Sequence, residues 1–161
     1  MLMTALGLIV AIFIYPFLHE GGHVLATLIS GGKVKEFMVF PLPNILSDVS
    51  GVSNAGLVFI GLSGVMLPFF LSAVCRPKKF FLWYSSFVFK GIVLLSTLIS
   101  SAIIIMNQFG FVQSNDDMIK VLNYWQNGTT FLLSILFLFG SITIALMIKD
   151  HPIKRIIKEF V

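Results

Sequence analysis

The chain has 161 residues, of which 57% are hydrophobic and only 11% are charged, and its formal net charge is +4. Soluble domains carry about 25% charged residues, so this composition excludes an ordinary soluble domain. The basic residues cluster at the ends of apolar segments, which is typical of membrane topology and argues against nucleic-acid binding. We therefore expect residues 1–161 to form a single membrane-embedded domain, a multi-pass integral protein of the cell membrane that is surrounded by the lipid bilayer.

Four apolar segments are long enough to cross a bilayer, whose hydrocarbon core requires about 20 apolar residues in a helix. In chain order they cover approximately residues 2–30, 55–75, 80–106 and 129–148. The predicted fold class is an all-α polytopic membrane protein with about four transmembrane helices. A short membrane-surface β-hairpin is expected after the first of them.

The first segment contains His19-Glu20-Gly21-Gly22-His23, which matches the pattern H-E-x-x-H. Histidines four residues apart on a helix project from one face, where two neutral imidazoles can bind one zinc ion. Glu20 can then take the proton of a water at the open position of the metal. The alternative is a polar helix–helix contact or the end of the span. Ionisable residues within a membrane are costly, which favours a catalytic metal site.

Proline and glycine residues predict the backbone of the same helix. Pro16 cannot donate a hydrogen bond to the carbonyl of Ile12, so we expect a bend just before the motif. Gly21 and Gly22 each destabilise a helix by about 1 kcal/mol relative to alanine. They predict the close approach of another backbone, either a neighbouring helix or a substrate strand.

The segment 33–55 differs in composition from the spans. Val34, Phe37 and Val39 favour β-structure, whereas prolines and small polar residues interrupt the run. We expect a short β-hairpin at the membrane surface. It is either a connector or an edge strand beside the site that can pair with an extended peptide, and the sequence leaves both alternatives open.

The later segments carry three further signals. Gly56, Gly61 and Gly64 in the second span predict tight helix packing. Lys90 lies inside the third span, where snorkelling or a carboxylate partner is favoured over a catalytic role. The tail 149–161 has basic residues among isoleucines, which is typical of a short amphipathic helix on an anionic membrane surface.

The two histidines need a further protein ligand, because a catalytic zinc site normally has three plus a water. The remaining donors are Glu36, Asp48, Asp116, Asp117, Asp150, His151 and Glu159. Asp116 and Asp117 lie at the membrane end of a span, although acidic residues in the first turn of a helix are commonly caps. We expect that helix to run from about Asp116 through Trp125. Adjacent helical positions point about 100° apart, so only one of the two ligates; we favour Asp116, with Asp117 as the alternative.

Together these motifs resemble the site-2 protease family of intramembrane zinc metallopeptidases, and the chain is similar to a minimal, single-domain member. The family commonly has H-E-x-G-H, in which Gly22 matches the glycine. It also has a membrane-associated β-segment, a glycine-rich second span and a later aspartate. Near the third ligand the family often has Asn, then Pro, then Leu-Asp-Gly. This chain has Asn107 and Asn115-Asp116-Asp117 there, without the proline or the glycine.

The resemblance implies a zinc-dependent intramembrane endopeptidase that cleaves a membrane protein or peptide within or next to the bilayer. It implies one Zn²⁺ per chain, three ligands, a general base and a residue that assists the substrate. These are His19, His23 and Asp116 or Asp117 as ligands, Glu20 as the base, and Asn107 or Asn115 beside the substrate. The alternatives are a catalytically silent metal-binding scaffold or transporter-associated protein, and a small helical carrier or channel subunit.

Two features predict opposite orientations in the membrane. Seven Lys and Arg residues fall on the side of the termini and three on the side of the hairpin, so the positive-inside rule places both termini in the cytoplasm. The resemblance implies the opposite, because site-2 proteases often have the hairpin and the site nearer the cytosol.

Overall fold

Helices dominate the computed structural model, which describes residues 2–39, 43–74, 79–111 and 116–160. The helical elements are α1 (Leu2–Ile9), a π-helical turn (Val10–Ile14), α2 (Tyr15–Ile29), α3 (Asn54–Val74), α4 (Phe80–Gln108), α5 (Asp117–Tyr124), a 3-10 turn (Gln126–Gly128), α6 (Thr129–Lys149) and α7 (Pro152–Phe160). Between α2 and α3 lies an antiparallel hairpin of β1 (Lys33–Met38) and β2 (Asn44–Asp48).

Within the described part of the chain, four helical stretches are long and apolar enough to cross a membrane. They are Ala5–Ile29, Asn54–Val74, Phe80–Gln108 and Thr129–Arg155. Many leucine, isoleucine and phenylalanine side chains on these helices are exposed, as expected where lipid replaces water as the solvent. The predicted fold class of about four transmembrane helices, with a hairpin after the first, is confirmed.

The first span contains a π-helical turn at the place where the sequence predicts a bend. Pro16 has no N–H to offer the carbonyl of Ile12, and its ring crowds that carbonyl. The backbone widens instead, and the Tyr15 N–H donates to the carbonyl of Val10. Helix α2, which carries both histidines, then begins with its proline in the first turn, where proline is tolerated.

Glycines allow α2 and α5 to lie close to α3. A Cβ on Gly22 would collide with the carbonyl oxygen of Ser63, so the backbone that approaches the motif is that of a neighbouring helix. A Cβ on Gly21 would meet only one side chain, at 4.0 Å, so packing does not require a glycine at that position. Gly61 makes room for Val121 of α5. The tight packing predicted for the second span is confirmed at this face.

The short helix α5 is held in place by its apolar side. Met118 and Val121 are each 1% exposed, and they share a core cluster with Leu62 of α3, Ile104 of α4 and Leu136 of α6. A helix of this length is not stable by itself in water. Packing against three other helices therefore fixes its position, and with it the position of Asp117 in its first turn.

The two strands pair antiparallel, with Lys33 opposite Asp48 and Met38 opposite Asn44, and the register shifts by one residue between Val34 and Glu36. Helix α2 contacts both of them, so the hairpin lies beside the end of the helix that carries the motif. The structure thus confirms that a hairpin forms within residues 33–55, as predicted. Residues 40–42, between the strands, lie outside the described residues.

Helices α4 and α6 pack against each other in opposite directions. At one end the Gln108 side-chain amide donates to the Thr129 hydroxyl at 2.8 Å. Farther along, Lys90 Nζ lies 2.6 Å from Asp150 Oδ2. Lys90 is only 2% exposed. Of the two structural roles predicted for it, snorkelling or pairing with a carboxylate, the structure shows the pairing.

The predicted tail helix is present as α7. Near its start the Arg155 guanidinium lies over the ring of Trp83, 5.2 Å from the ring centroid, which places this part of the tail beside the first turns of α4. Its location on an anionic membrane surface stays a prediction.

Candidate metal site

Helix α2 presents His19 and His23 on one face, one turn apart. Their Nε2 atoms lie 3.2 Å from each other, and the two rings meet edge to face with centroids 4.8 Å apart. The spacing of the motif on a helix predicts this juxtaposition. His23 is buried, with 6% of its surface exposed, and His19 is partly buried.

Asp117 completes the cluster from α5. Its Oδ2 atom lies 3.0 Å from His23 Nε2 and 3.3 Å from His19 Nε2. Among the described residues, His19, His23 and Asp117 form a group of donors that could hold a metal ion. Residues that are nearly 100 apart in the sequence thus meet at one point because α2 and α5 both pack on α3.

The preference for Asp116 over Asp117 is corrected by this geometry. Asp116 is the N-cap of α5, and its Oδ1 accepts a hydrogen bond from the Met118 N–H at 2.9 Å. A cap residue directs its carboxylate back to the first turn of its own helix, whereas the next residue projects outward from that turn. The sequence allowed either aspartate to cap the helix or to act as a metal ligand. In the structure Asp116 is the cap, and Asp117 lies in the group of possible metal ligands.

A main-chain carbonyl of α3 orients the second histidine. His23 Nδ1 lies 2.7 Å from the carbonyl oxygen of Ile60. A carbonyl can only accept, so Nδ1 carries the proton and Nε2 keeps a lone pair directed at the cluster. Metal-binding histidines are commonly fixed in this way by the group that their other nitrogen contacts.

Two further features surround the imidazoles. His19 Nδ1, the ring nitrogen that does not face the cluster, is buried and has no hydrogen-bond partner among the described residues. Gly64 of α3 lies directly against both rings, since a Cβ there would be 2.5 Å from His23 Nε2 and 2.7 Å from His19 Cε1. The glycine leaves the two imidazoles the space to face one another.

The charge state of Asp117 suits a ligand. Burial alone would raise the pKa of its carboxyl, but the close contacts with the imidazoles of His19 and His23 outweigh burial and hold the pKa well below its ordinary value. Lys120, one turn further along α5, donates from Nζ to Asp117 Oδ1 at 3.0 Å. One oxygen of the carboxylate thus faces the lysine and the other faces the histidines. For the neighbouring Asp116, burial raises the pKa.

A cavity of about 310 Å³ adjoins the cluster on the side of the hairpin, and we call it the polar cavity after the charged side chains in its otherwise mixed lining. Glu20, His23, Asp117 and Lys120 line it, together with residues of β2 that include Asn44 and Ser47. The predicted general base and the donor cluster therefore share one cavity, which has room for water and for part of a peptide.

A second cavity, of about 290 Å³, adjoins the cluster on the side of α4. Its walls include Tyr15, His19 and Asp117 beside apolar side chains of α4. The Tyr15 hydroxyl is buried there next to Ser96, but no hydrogen bond of regular geometry satisfies it among the described residues. The donor cluster thus separates a polar cavity from a largely apolar one.

The other candidate residues lie away from the cluster. Asp48 pairs with Lys35 at 3.0 Å, and hydrogen bonds from Ser50 lower the pKa of its carboxyl. Asp150 pairs with Lys90, and His151 is exposed after α6. None of these residues is in the donor group.

The role of the two asparagines beside a substrate stays a prediction. Asn107 lies in the last turn of α4, and the two cavities beside the cluster are lined by other described residues. Asn115 lies outside the described residues.

Several residues that shape the site were not predicted from the sequence. Lys120 was counted only as one of the three basic residues on the hairpin side of the membrane. Its position three residues after Asp117 on a helix nevertheless predicts an ion pair. The Ile60 carbonyl gives no sequence signal at all.

Comparison of the chain with protein-family models, with curated proteins and with solved structures found no match.

Proposed function

We propose that this protein is a zinc-dependent intramembrane endopeptidase of the site-2 protease type, located in the cell membrane. The observation that carries the proposal is the convergence of His19, His23 and Asp117 on membrane-associated helices, with Glu20 lining the adjoining cavity. Two histidines, a carboxylate and an open position are a ligand set of catalytic zinc sites.

The distances between the donor atoms support zinc. Zinc takes nitrogen and oxygen ligands at about 2.0–2.2 Å in a tetrahedral arrangement, so neighbouring ligand atoms lie roughly 3.3 Å apart. The three donor atoms here are separated by 3.0, 3.2 and 3.3 Å. Two histidines and one carboxylate can also hold iron(II). A carboxylate directly after the first histidine favours hydrolysis, because it supplies a base for water.

Glu20 would act as the general base and then as the general acid. A zinc ion held by the three donors would lower the pKa of the attacking water and polarise the substrate carbonyl. Glu20 takes one proton from that water and delivers it to the leaving amine as the peptide C–N bond breaks. Asp117, held by Lys120, keeps its charge beside the imidazoles during this exchange.

The substrate would be an extended segment of a membrane protein or peptide. Backbone amides in a helix are shielded by their own hydrogen bonds, so a substrate helix must unwind before cleavage. Strand β2 lines the polar cavity and pairs with β1 through one edge. Its other edge is a template for an extended peptide, which supports the edge-strand alternative for the hairpin over a mere connector.

A pair of variants tests the proposal. The purified protein, reconstituted in liposomes with zinc, is incubated with a pool of synthetic single-span peptides of mixed sequence, and new termini are identified by mass spectrometry. We expect cleavage by the wild type, loss of at least about 100-fold in rate for Glu20→Gln, and equal zinc content in both. Cleavage that survives Glu20→Gln would contradict the assigned base. Bound zinc without cleavage of any peptide would instead favour a metal-binding scaffold or transporter-associated protein.

A further inference from the structure

The two ends of the helix bundle differ strongly in charge. One end, called here the hairpin end, contains the hairpin, α5, the start of α3 and the junction where Gln108 meets Thr129. The opposite end, called here the terminal end, contains α1, the end of α3, the start of α4 and the tail. Gly7 of α1 lies against the Tyr84 hydroxyl there, and Arg155 lies over Trp83.

Seven of the eleven Lys and Arg residues belong to sequence segments that adjoin the terminal end. In the sequence they either fall between α3 and α4 or belong to the tail: Arg76, Lys78, Lys79, Lys149, Lys154, Arg155 and Lys158. Asp150 and Glu159 are the acidic residues of this end, and Asp150 is paired with the buried Lys90. The terminal end is therefore strongly positive.

The hairpin end has only three basic residues, and two of them are paired with carboxylates. Lys35 pairs with Asp48 at 3.0 Å and Lys120 pairs with Asp117 at 3.0 Å. Lys33 is the third. Five acidic residues belong to the same end, namely Glu20, Glu36, Asp48, Asp116 and Asp117. The formal charge of this end is thus slightly negative.

We infer that the metal site opens to the extracytoplasmic face of the membrane and takes substrates presented from that face. Short loops rich in Lys and Arg stay in the cytoplasm, so the terminal end is cytoplasmic and the hairpin end is on the other side. The polar cavity beside Glu20 lies between α2, α3, α5 and β2, and hence at the extracytoplasmic end of the bundle.

The orientation defines a substrate class, which rests on the proposed function. The scissile bond would lie near the extracytoplasmic end of a membrane segment. The extracytoplasmic fragment would be released, and the rest of the substrate would stay anchored in the membrane. This differs from the orientation that resemblance to site-2 proteases implies. The difference arises from the charge distribution of this chain alone.

Cysteine labelling in intact cells tests the orientation without any assay of activity. In a Cys75→Ser background, one variant carries Asn123→Cys, an exposed position on α5, and the other carries a cysteine appended after Val161. Cells producing each variant are treated with a membrane-impermeant maleimide before and after permeabilisation. We expect the Asn123→Cys variant to be labelled in intact cells and the appended cysteine to be labelled only after permeabilisation.

The reverse labelling pattern would overturn the inference, as would labelling of both cysteines in intact cells, which would show mixed orientation. Zinc content of the same two purified variants is measured in parallel. A reversed orientation with zinc retained would refute the inference and leave the proposed function standing. The expected orientation without bound zinc would support the inferred orientation and refute the proposed function. The two failures are therefore distinguishable.

Discussion

His23 Nδ1 donates to the main-chain carbonyl of Ile60 across 2.7 Å, which joins a histidine of α2 to the backbone of α3. Because the carbonyl fixes the tautomer, His23 Nε2 is available to a metal together with His19 and Asp117. The interface between the two helices is therefore part of the candidate metal site, and changes in that interface should alter metal binding.

Gly64→Ala should weaken zinc binding although residue 64 is not a ligand. The new Cβ would lie 2.5 Å from His23 Nε2, so the ring must move away from the cluster. We expect zinc affinity to fall by about 10-fold or more, which is the range for changes next to a ligand, as measured by competition with a chromophoric chelator. Gly21→Ala is the matched control, since a Cβ there meets nothing closer than 4.0 Å. Equal affinities for the two variants would contradict the role of Gly64.

Lys120→Met should weaken zinc binding by releasing Asp117 Oδ1, which now lies 3.0 Å from Lys120 Nζ. We expect a loss of about 10-fold in affinity with little change in stability, because partly exposed ion pairs contribute little to folding. Lys35→Met removes the same charge from the hairpin pair with Asp48 and should leave zinc affinity unchanged. If both variants lose affinity alike, the effect is one of net charge and not of contact.

The fold could be predicted from the sequence more completely than the site. Span length and apolar composition predicted four helices, and Pro16 predicted the irregularity before the motif, because both signals are local. The spacing of His19 and His23 likewise predicted their shared face. The choice between Asp116 and Asp117 could not be made in this way. It depends on which residue caps α5, and a shift of one position rotates a side chain by about 100°.

Other features of the site depend on long-range packing that has no local signature. The Ile60 carbonyl orients His23 only because Gly22 and Gly64 bring α2 and α3 together. The sequence predicted that these glycines mark a close approach, but not which atoms would meet there.

Lys90→Met should destabilise the protein strongly. It removes one partner of an ion pair in which Lys90 is 2% exposed and lies 2.6 Å from Asp150. The Asp150 carboxylate, whose side chain is 18% exposed, would lose its partner. Breaking a pair of this kind costs about 3–5 kcal/mol in the free energy of unfolding when the pair is buried, and we expect the lower end of that range, measured by denaturant titration in detergent micelles. The double variant Lys90→Met/Asp150→Asn should regain most of this loss. A single variant as stable as the wild type would show that Asp150 is adequately solvated by itself.

Tyr15→Phe should leave stability unchanged or raise it by about 1 kcal/mol, because the buried hydroxyl has no regular hydrogen-bond partner among the described residues. Tyr15→Ala is the contrasting variant. It removes the ring that packs edge to face on Phe89 at 6.1 Å and should cost about 3–5 kcal/mol. Thermal unfolding in detergent measures both. A clear loss of stability in Tyr15→Phe would mean that the hydroxyl has a firm partner.

The most direct measurement of the central claim is the zinc content of Asp117→Asn beside Asp116→Asn, determined by mass spectrometry of the purified proteins. Asparagine caps helices as well as aspartate does, so Asp116→Asn preserves α5 and serves as the control. The arrangement of His19, His23 and Asp117 predicts about one zinc per chain in the wild type and in Asp116→Asn, and loss of zinc in Asp117→Asn. Zinc retained by Asp117→Asn, or lost only from Asp116→Asn, would contradict it.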